Sequence, residues 1–330
     1  MRSPLSRALS SVAVVGALAV GLAACGASSS GSGGGTSAGG GQIGKKFNLS
    51  GAHFTVGSKE FTEERILGYI TADALQAAGA NVNAQKLTGS NTVRTALTSG
   101  RIDMYWEYDG TAWLDYLKHT SPVKSGEPQQ YQMTAAEDLA KNHIKWLTPA
   151  KFSDAYGVGM RSNAPGALGQ ISNLSQMAAY IHQHPQQGTF CGASEFLNRS
   201  DGLPNLEKTY GFKFASGTIK TVNLSLDYTS VAKGNPCNFA EIFTTDGRIK
   251  TLHLKVLTDD KNAFGSYVPA LTVRDAVYKK YAKQLSGIAA LIAPKLTTST
   301  IIDLNKKVDV DGMTPQAVAK AWLKQNGLIS

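Results

Sequence analysis

Between Ile102 and Thr111 the chain reads Ile-Asp-Met-Tyr-Trp-Glu-Tyr-Asp-Gly-Thr. Tyr105, Trp106 and Tyr108 crowd into this stretch, and the hydroxyl of Thr111 follows. Aromatic faces and a hydroxyl suit binding rather than bond-making. As a strand, the stretch puts Ile102, Met104 and Trp106 on one face and Asp103, Tyr105 and Glu107 on the other. Asp109-Gly110 then signals a turn, and Thr111 has the chemistry of a helix N-cap. A strand that runs through a turn into a helix N-terminus is where open α/β sheets place ligands. Tyr108 and Thr111 therefore read as cleft residues. The three aromatics would equally serve as half-buried sheet residues, and this stretch alone does not separate the two. His-Glu-x-x-His, phosphate-loop and Cys-x-x-Cys patterns do not occur. His182 and His184, just ahead of Pro185, read as surface residues rather than a metal pair. The chain reads as a binding protein, not an enzyme, and needs no cofactor.

The elements that must carry this stretch follow from periodicity. Phe54 and Val56 alternate in a first strand that ends at Gly57. Thr62 is expected to cap a helix, with Phe61 and Ile66 as a hydrophobic staple and Gly79 as its end. A second strand runs from Val82 to Leu87, and Asn91 is expected to cap a short helix before the third strand. Strand, helix, strand, helix, strand predicts a parallel sheet with right-handed crossovers. Further on, helices are expected over 134–143 and 170–184. Strands are expected at Ile144–Leu147, Gly157–Met160, Gly188–Cys191, Val222–Leu226, Ile242–Phe243, Thr251–Leu257 and Tyr267–Val273. The glycines at 157 and 159 suggest a close approach by backbone or ligand. Three helices fill the remainder, the last capped by Thr314 with Pro315 at its first position.

Of 330 residues, 42% are apolar and 17% charged, enough for a buried core and about two domains. The formal charge is +9, or +7 for residues 25–330. The basic residues are scattered, which argues against nucleic acid and for a solvated surface near an anionic membrane. Arg2 and Arg7 precede an apolar run to Ala24, the pattern of a secretory signal over residues 1–24. Leu22-Ala23-Ala24-Cys25 resembles the bacterial lipobox, which makes Cys25 the expected lipidated first residue. Residues 25–50, rich in Gly and Ser, are expected to be a flexible tether. Cys191 and Cys237 remain. Two cysteines in an exported chain are expected to pair, and this loop of about 46 residues would contribute roughly 3–4 kcal/mol.

Four separated motifs carry a resemblance over the whole mature chain. They are Val56-Gly57-Ser58-Lys59-Glu60-Phe61-Thr62-Glu63, Ser99–Thr111, Phe243-Thr244-Thr245-Asp246-Gly247-Arg248-Ile249, and Asp259-Asp260-Lys261 followed by Tyr267. In this order they resemble the substrate-binding proteins of ABC importers for quaternary-ammonium solutes: glycine betaine, proline betaine, carnitine or choline. The resemblance implies an α/β, two-lobed periplasmic-binding-protein fold of type II with a ligand cleft between the lobes. One lobe would combine residues 51–152 with 266–330, and the other would span 153–265. It also implies an aromatic box of Tyr108, Tyr156, Phe243 and Tyr267, and a carboxylate site of Lys59, Thr111 and Arg199. Asp154 would turn its main-chain carbonyl to the methylated ammonium. Phe243 stands where the family usually has Tyr, and Trp106 where many relatives have Pro. A cationic pair favours a betaine over choline. The implied partners are the permease subunits of an ABC importer, with the protein lipid-anchored at the outer face of the cell membrane. A surface lipoprotein or adhesin would share the anchor and the disulfide without needing such a cleft.

Overall fold

The computed structural model describes residues 41–123 and 127–330. Cys25, the signal segment and most of the expected tether lie outside the described residues. Ten strands form two sheets: β1 (His53–Ser58), β2 (Asn81–Lys86), β3 (Met104–Tyr108), β4 (Ile144–Pro149), β5 (Tyr156–Arg161), β6 (Phe190–Gly192), β7 (Ile219–Thr221), β8 (Phe239–Phe243), β9 (Leu254–Val256) and β10 (Pro269–Arg274). One sheet has the order β2-β1-β3-β10-β4 and the other β7-β6-β8-β5-β9. In the first, β1 pairs parallel with β2 and β3, while β10 pairs antiparallel with β3 and β4. In the second, β6 runs parallel to β7 and β8, and β5 runs antiparallel to β8 and β9. The expected βαβαβ start is thus present in the first sheet, and each sheet holds one strand antiparallel to its neighbours, β10 in the first and β5 in the second. This is the type II periplasmic-binding architecture.

Packing explains the central strand. Trp106 is buried against the Thr62–Ala77 helix, and its indole Nε1 donates to Thr71 Oγ1 at 2.8 Å. On the opposite face Tyr105 is buried with Val93, Leu97, Ile144 and Trp146. Helices cover both faces, so β3 has no solvent-facing side, as parallel-sheet strands generally do not. Trp106 is a core residue.

Several local expectations give way. Thr62 does not cap its helix; Phe61 holds the N-cap position, and Thr62 Oγ1 donates to Asp309 Oδ1 at 2.6 Å. Asn91 is likewise inside the Ser90–Thr98 helix, which starts from Gly89. Thr111 has helical dihedrals in the short turn Asp109–Thr111, so it lies within the helical run rather than capping it. The expected strand at Val222–Leu226 is wrong. Asn223 accepts the N–H of Ser225 and starts a helix over Leu224–Lys233, whose buried Asp227, Tyr228 and Val231 follow helical spacing. Residues 42–50, expected to belong to the tether, are instead part of the fold. Gln42–Lys46 is helical, Ile43 is buried, and the N–H groups of Gln42 and Ile43 donate to the carbonyls of Gly327 and Leu328. At the C-terminus, Thr314 caps the Pro315–Gln325 helix as expected. Cys191 and Cys237 form a disulfide with their Cα atoms 5.7 Å apart.

Strand direction decides where a site can form. The C-terminal ends of β1, β3, β6 and β8 lie at the same rims as the N-terminal ends of their antiparallel neighbours β10 and β5. In register terms, Pro269 sits opposite Tyr108 and Tyr156 opposite Phe243. Loops leaving those ends must therefore converge.

Candidate functional site

They converge on one cavity of about 930 Å³. Its wall includes all eight residues singled out from the sequence: Lys59, Tyr108, Thr111, Asp154, Tyr156, Arg199, Phe243 and Tyr267. Lys59 follows β1, Tyr108 ends β3, and Thr111 stands in the helical turn after it. Tyr267 precedes β10, Asp154 and Tyr156 lead into β5, and Phe243 ends β8. Arg199 follows the Ser194–Asn198 helix after β6.

The aromatic wall is built by contact between rings. Phe243 and Tyr156 stack with centroids 5.4 Å apart at 24°, and Tyr267 meets Tyr156 edge-on at 5.9 Å and 71°. Phe61, read from sequence only as a staple, stacks on Phe243 at 5.1 Å and lies 6.2 Å from Tyr108. It lines the cavity too and extends the wall by one ring. Its place beside Lys59 in the first motif was the available signal. Near-parallel rings in mutual contact leave no gap between them for a cation, so only ring faces not covered by a neighbouring ring can receive one. Gly110 makes room for this wall: a Cβ there would lie 2.5 Å from the Ser266 carbonyl oxygen and 2.7 Å from the Tyr267 ring. The glycines of β5 have a plainer reason, since a Cβ on Gly159 would meet Ile242 at 2.9 Å.

Both cations of the expected carboxylate site are already paired. Lys59 Nζ lies 2.7 Å from Glu107 Oε1 and 5.0 Å from the Tyr108 ring centre. Glu107 also accepts from the hydroxyls of Tyr105 and Tyr116 and from the Tyr108 N–H. Burial lowers the Lys59 ammonium's pKa, but Glu107, Glu64 and Glu195 outweigh that and hold it above the usual lysine value. Arg199 grips Asp201 with Nε at 2.9 Å and Nη2 at 2.6 Å, and Nη1 meets Glu195 Oε1 at 2.9 Å. Arg199 Nη2 also reaches Thr111 Oγ1 at 3.4 Å, and Tyr267 OH donates to Asp201 at 2.8 Å. An ammonium has three donors and a guanidinium five. Both side chains keep N–H groups to spare for a further carboxylate, but they are not bare positive charges.

Asp154 is held from both sides: its N–H donates to the Tyr267 carbonyl and its Oδ1 accepts the Thr245 N–H. Its own carbonyl accepts no hydrogen bond among the described residues. Behind it, Glu63 accepts from Tyr108 OH and Thr245 Oγ1, each at 2.6 Å, and from Asn305 Nδ2 at 3.3 Å. This carboxyl ties the first sheet's elements to the second's.

Burial raises Glu63 to about 7. Nearby, Asp154 is also raised well above the usual carboxyl value, by burial and then by Glu63. An unfolded glutamate titrates near 4.3. A raised folded pKa stabilises the fold below the unfolded value, and that contribution is lost as pH rises through about 7. The denaturation midpoint is therefore expected to fall between pH 5 and pH 8, and to fall less steeply in Glu63→Gln. Equal slopes in urea titrations of the two proteins would remove Glu63 as a source.

A two-sheet α/β protein with an aromatic-walled, charge-lined cavity at its converging strand ends is, by fold and site, a solute-binding protein of the periplasmic type. The family model described as the substrate-binding domain of ABC-type glycine betaine transport systems matches residues 52–325, and the chain belongs to that family. It is 33% identical over 279 residues to a glycine-betaine-binding protein of Pseudomonas aeruginosa, covering 83% of this chain and 88% of that one. An ergothioneine transport permease/binding protein of Helicobacter pylori is 30% identical over 275 residues, 83% of this chain and 47% of that longer one. Among solved structures, apo YehZ from Escherichia coli superposes with a TM-score of 0.60 at 27% identity, covering 83% and 99% of the two chains. The protein serves an ABC importer as its solute-binding component and is not an enzyme.

Proposed function

We propose that the cavity captures a quaternary-ammonium carboxylate, glycine betaine or proline betaine first, and hands it to the permease of an osmoprotectant importer. In this reading Tyr108, Tyr156, Phe243 and Tyr267 receive the methylated ammonium, with the Asp154 carbonyl facing it. Lys59, Thr111 and Arg199 receive the carboxylate, and the lobes close over the ligand along the two crossings near residues 152 and 266. The observation that carries the reading is that eight residues from well-separated stretches meet on one cavity wall. A trimethylammonium group has no N–H to donate, so its charge is read by ring faces, each worth up to about 2 kcal/mol when dry. The paired state of Lys59 and Arg199 bears on ligand choice, because neutralised cations repel choline less than bare ones. The reading also places Cys25 under a lipid at the outer face of the cell membrane, on the strength of the sequence pattern alone.

Calorimetric titration with glycine betaine, carnitine, choline and ergothioneine in parallel tests this. Micromolar binding of a carboxylated ligand, with choline weaker by tenfold or more (about 1.4 kcal/mol), is the expected result. Choline binding alone would keep the aromatic wall and remove the carboxylate site. Heat from none of the four would send the ligand assignment elsewhere.

A further inference from the structure

Glu241 is a buried cavity carboxylate with no part in the recognition described so far. Glu241 lies two residues before Phe243 on β8, so strand alternation puts both on the same face. It is 2% exposed and lines the cavity. Its Oε2 accepts the Ala193 N–H at 2.8 Å, just ahead of the Ser194–Asn198 helix. Its other oxygen, Oε1, has no hydrogen bond among the described residues. No cation is paired with it either: Arg199 is taken up by Asp201 and Glu195, and Lys59 by Glu107. Oε1 is not among the described side-chain oxygens that are both buried and unpartnered; on the cavity wall it is open to a donor on a ligand in exchange for water.

The cavity has room for that partner. Its volume of about 930 Å³ is near the upper end of the roughly 300–1,000 Å³ range of small-molecule sites. Trimethylglycine, with an ammonium, one methylene and a carboxylate, is a small occupant for that space. Its two charged groups are spoken for by the ring wall and by the Lys59, Thr111 and Arg199 donors, and it has no group left for Glu241.

We propose that Glu241 is a specificity-determining residue of this site, whose Oε1 hydrogen-bonds a hydroxyl or ring N–H on a substituted betaine and so favours such ligands over their unsubstituted counterparts. The inference rests on the quaternary-ammonium reading above and adds to it a third recognition point beside the aromatic wall. Burial, then the neighbouring Asp227, raises the Glu241 carboxyl well above its usual value. A neutral carboxyl can donate or accept, so a hydroxyl suits it in either sense.

The test uses ligands that differ only in the group Glu241 would read. Carnitine and its deoxy analogue 4-(trimethylammonio)butanoate share ammonium, chain and carboxylate, and differ by one hydroxyl. Calorimetry on the wild-type protein is expected to give carnitine the lower Kd by at least about tenfold, the scale of a satisfied buried hydrogen bond. In Glu241→Ala that ratio should collapse toward unity. Glu241→Gln keeps an acceptor for the Ala193 N–H and puts an amide N–H donor where Oε1 was, so it should keep the wild-type melting temperature and, because a hydroxyl also accepts, much of the ratio that Glu241→Ala loses. A purely structural role for Glu241 would weaken both ligands together and leave the ratio intact, and that outcome overturns the proposal. Equal wild-type affinity for the pair overturns it too, while leaving the quaternary-ammonium reading standing. If neither ligand nor glycine betaine binds the folded protein, that broader reading fails and the proposal falls with it.

Discussion

Arg199→Ala is expected to destabilise the fold by about 3–5 kcal/mol and to weaken betaine binding more than choline binding. The first effect follows from what the guanidinium leaves behind. Asp201 is 6% exposed and takes two of its N–H groups, and Glu195 takes a third. Without Arg199 a buried carboxylate keeps, among the described residues, only the Tyr267 hydroxyl as a donor. The second effect follows from the guanidinium's unspent donors, which a ligand carboxylate can use and choline's hydroxyl end cannot. Arg199→Ala combined with Asp201→Asn separates the two. Removing the stranded charge should restore much of the denaturation midpoint without restoring betaine affinity. Equal losses for betaine and choline in the double variant would argue that Arg199 shapes the loop and does not touch the ligand. Lysine should not substitute, because a point charge cannot reproduce the two-pronged grip on Asp201.

This contrast shows which kind of information the sequence carried. Hydrophobic period and turn residues were sufficient for β1 to β3 and their helices, because both signals are local. Among the cleft residues, Tyr108 and Thr111 were legible as a strand end and the turn after it, whereas Lys59, Asp154, Tyr156, Arg199, Phe243 and Tyr267 were implied only by the family resemblance. What could not be read was pairing across the chain. Glu107 faces Lys59 across 48 residues and Thr62 meets Asp309 across 247. Nothing near Lys59 announces that its charge is shared, so the two cations looked free. Phe61 was hidden by an adequate local explanation, a staple at a helix start. The Leu224–Lys233 helix was lost because Val222, Leu224 and Leu226 alternate like a strand, while the Asn223 cap that decides the matter is a single residue. Glu241 was invisible for the same reason as the ion pairs: its importance lies in an oxygen that finds no partner, which only the packed wall reveals.

Tyr156→Leu is expected to raise the Kd for glycine betaine by about 10–30-fold, the value of one desolvated cation–π contact. Leucine is the informative replacement. Tyr156 packs against Phe243, Phe196 and Tyr267 with centroids 5.0–5.9 Å away, so alanine would open a void costing about 3–5 kcal/mol and confound binding with folding. Leucine keeps apolar bulk and removes the quadrupole. The contribution of charge can then be isolated with 3,3-dimethylbutanoate, the carbon isostere of glycine betaine, which has the same shape and no positive nitrogen. Wild-type protein should prefer the betaine strongly, and Tyr156→Leu should narrow that preference by the same factor that it loses in betaine affinity. An unchanged Kd for betaine would take Tyr156 out of the site. A loss shared equally by the isostere would mean that the ring contributes surface alone, and that the cation is read by Tyr108, Phe243, Tyr267 and the carbonyl of Asp154.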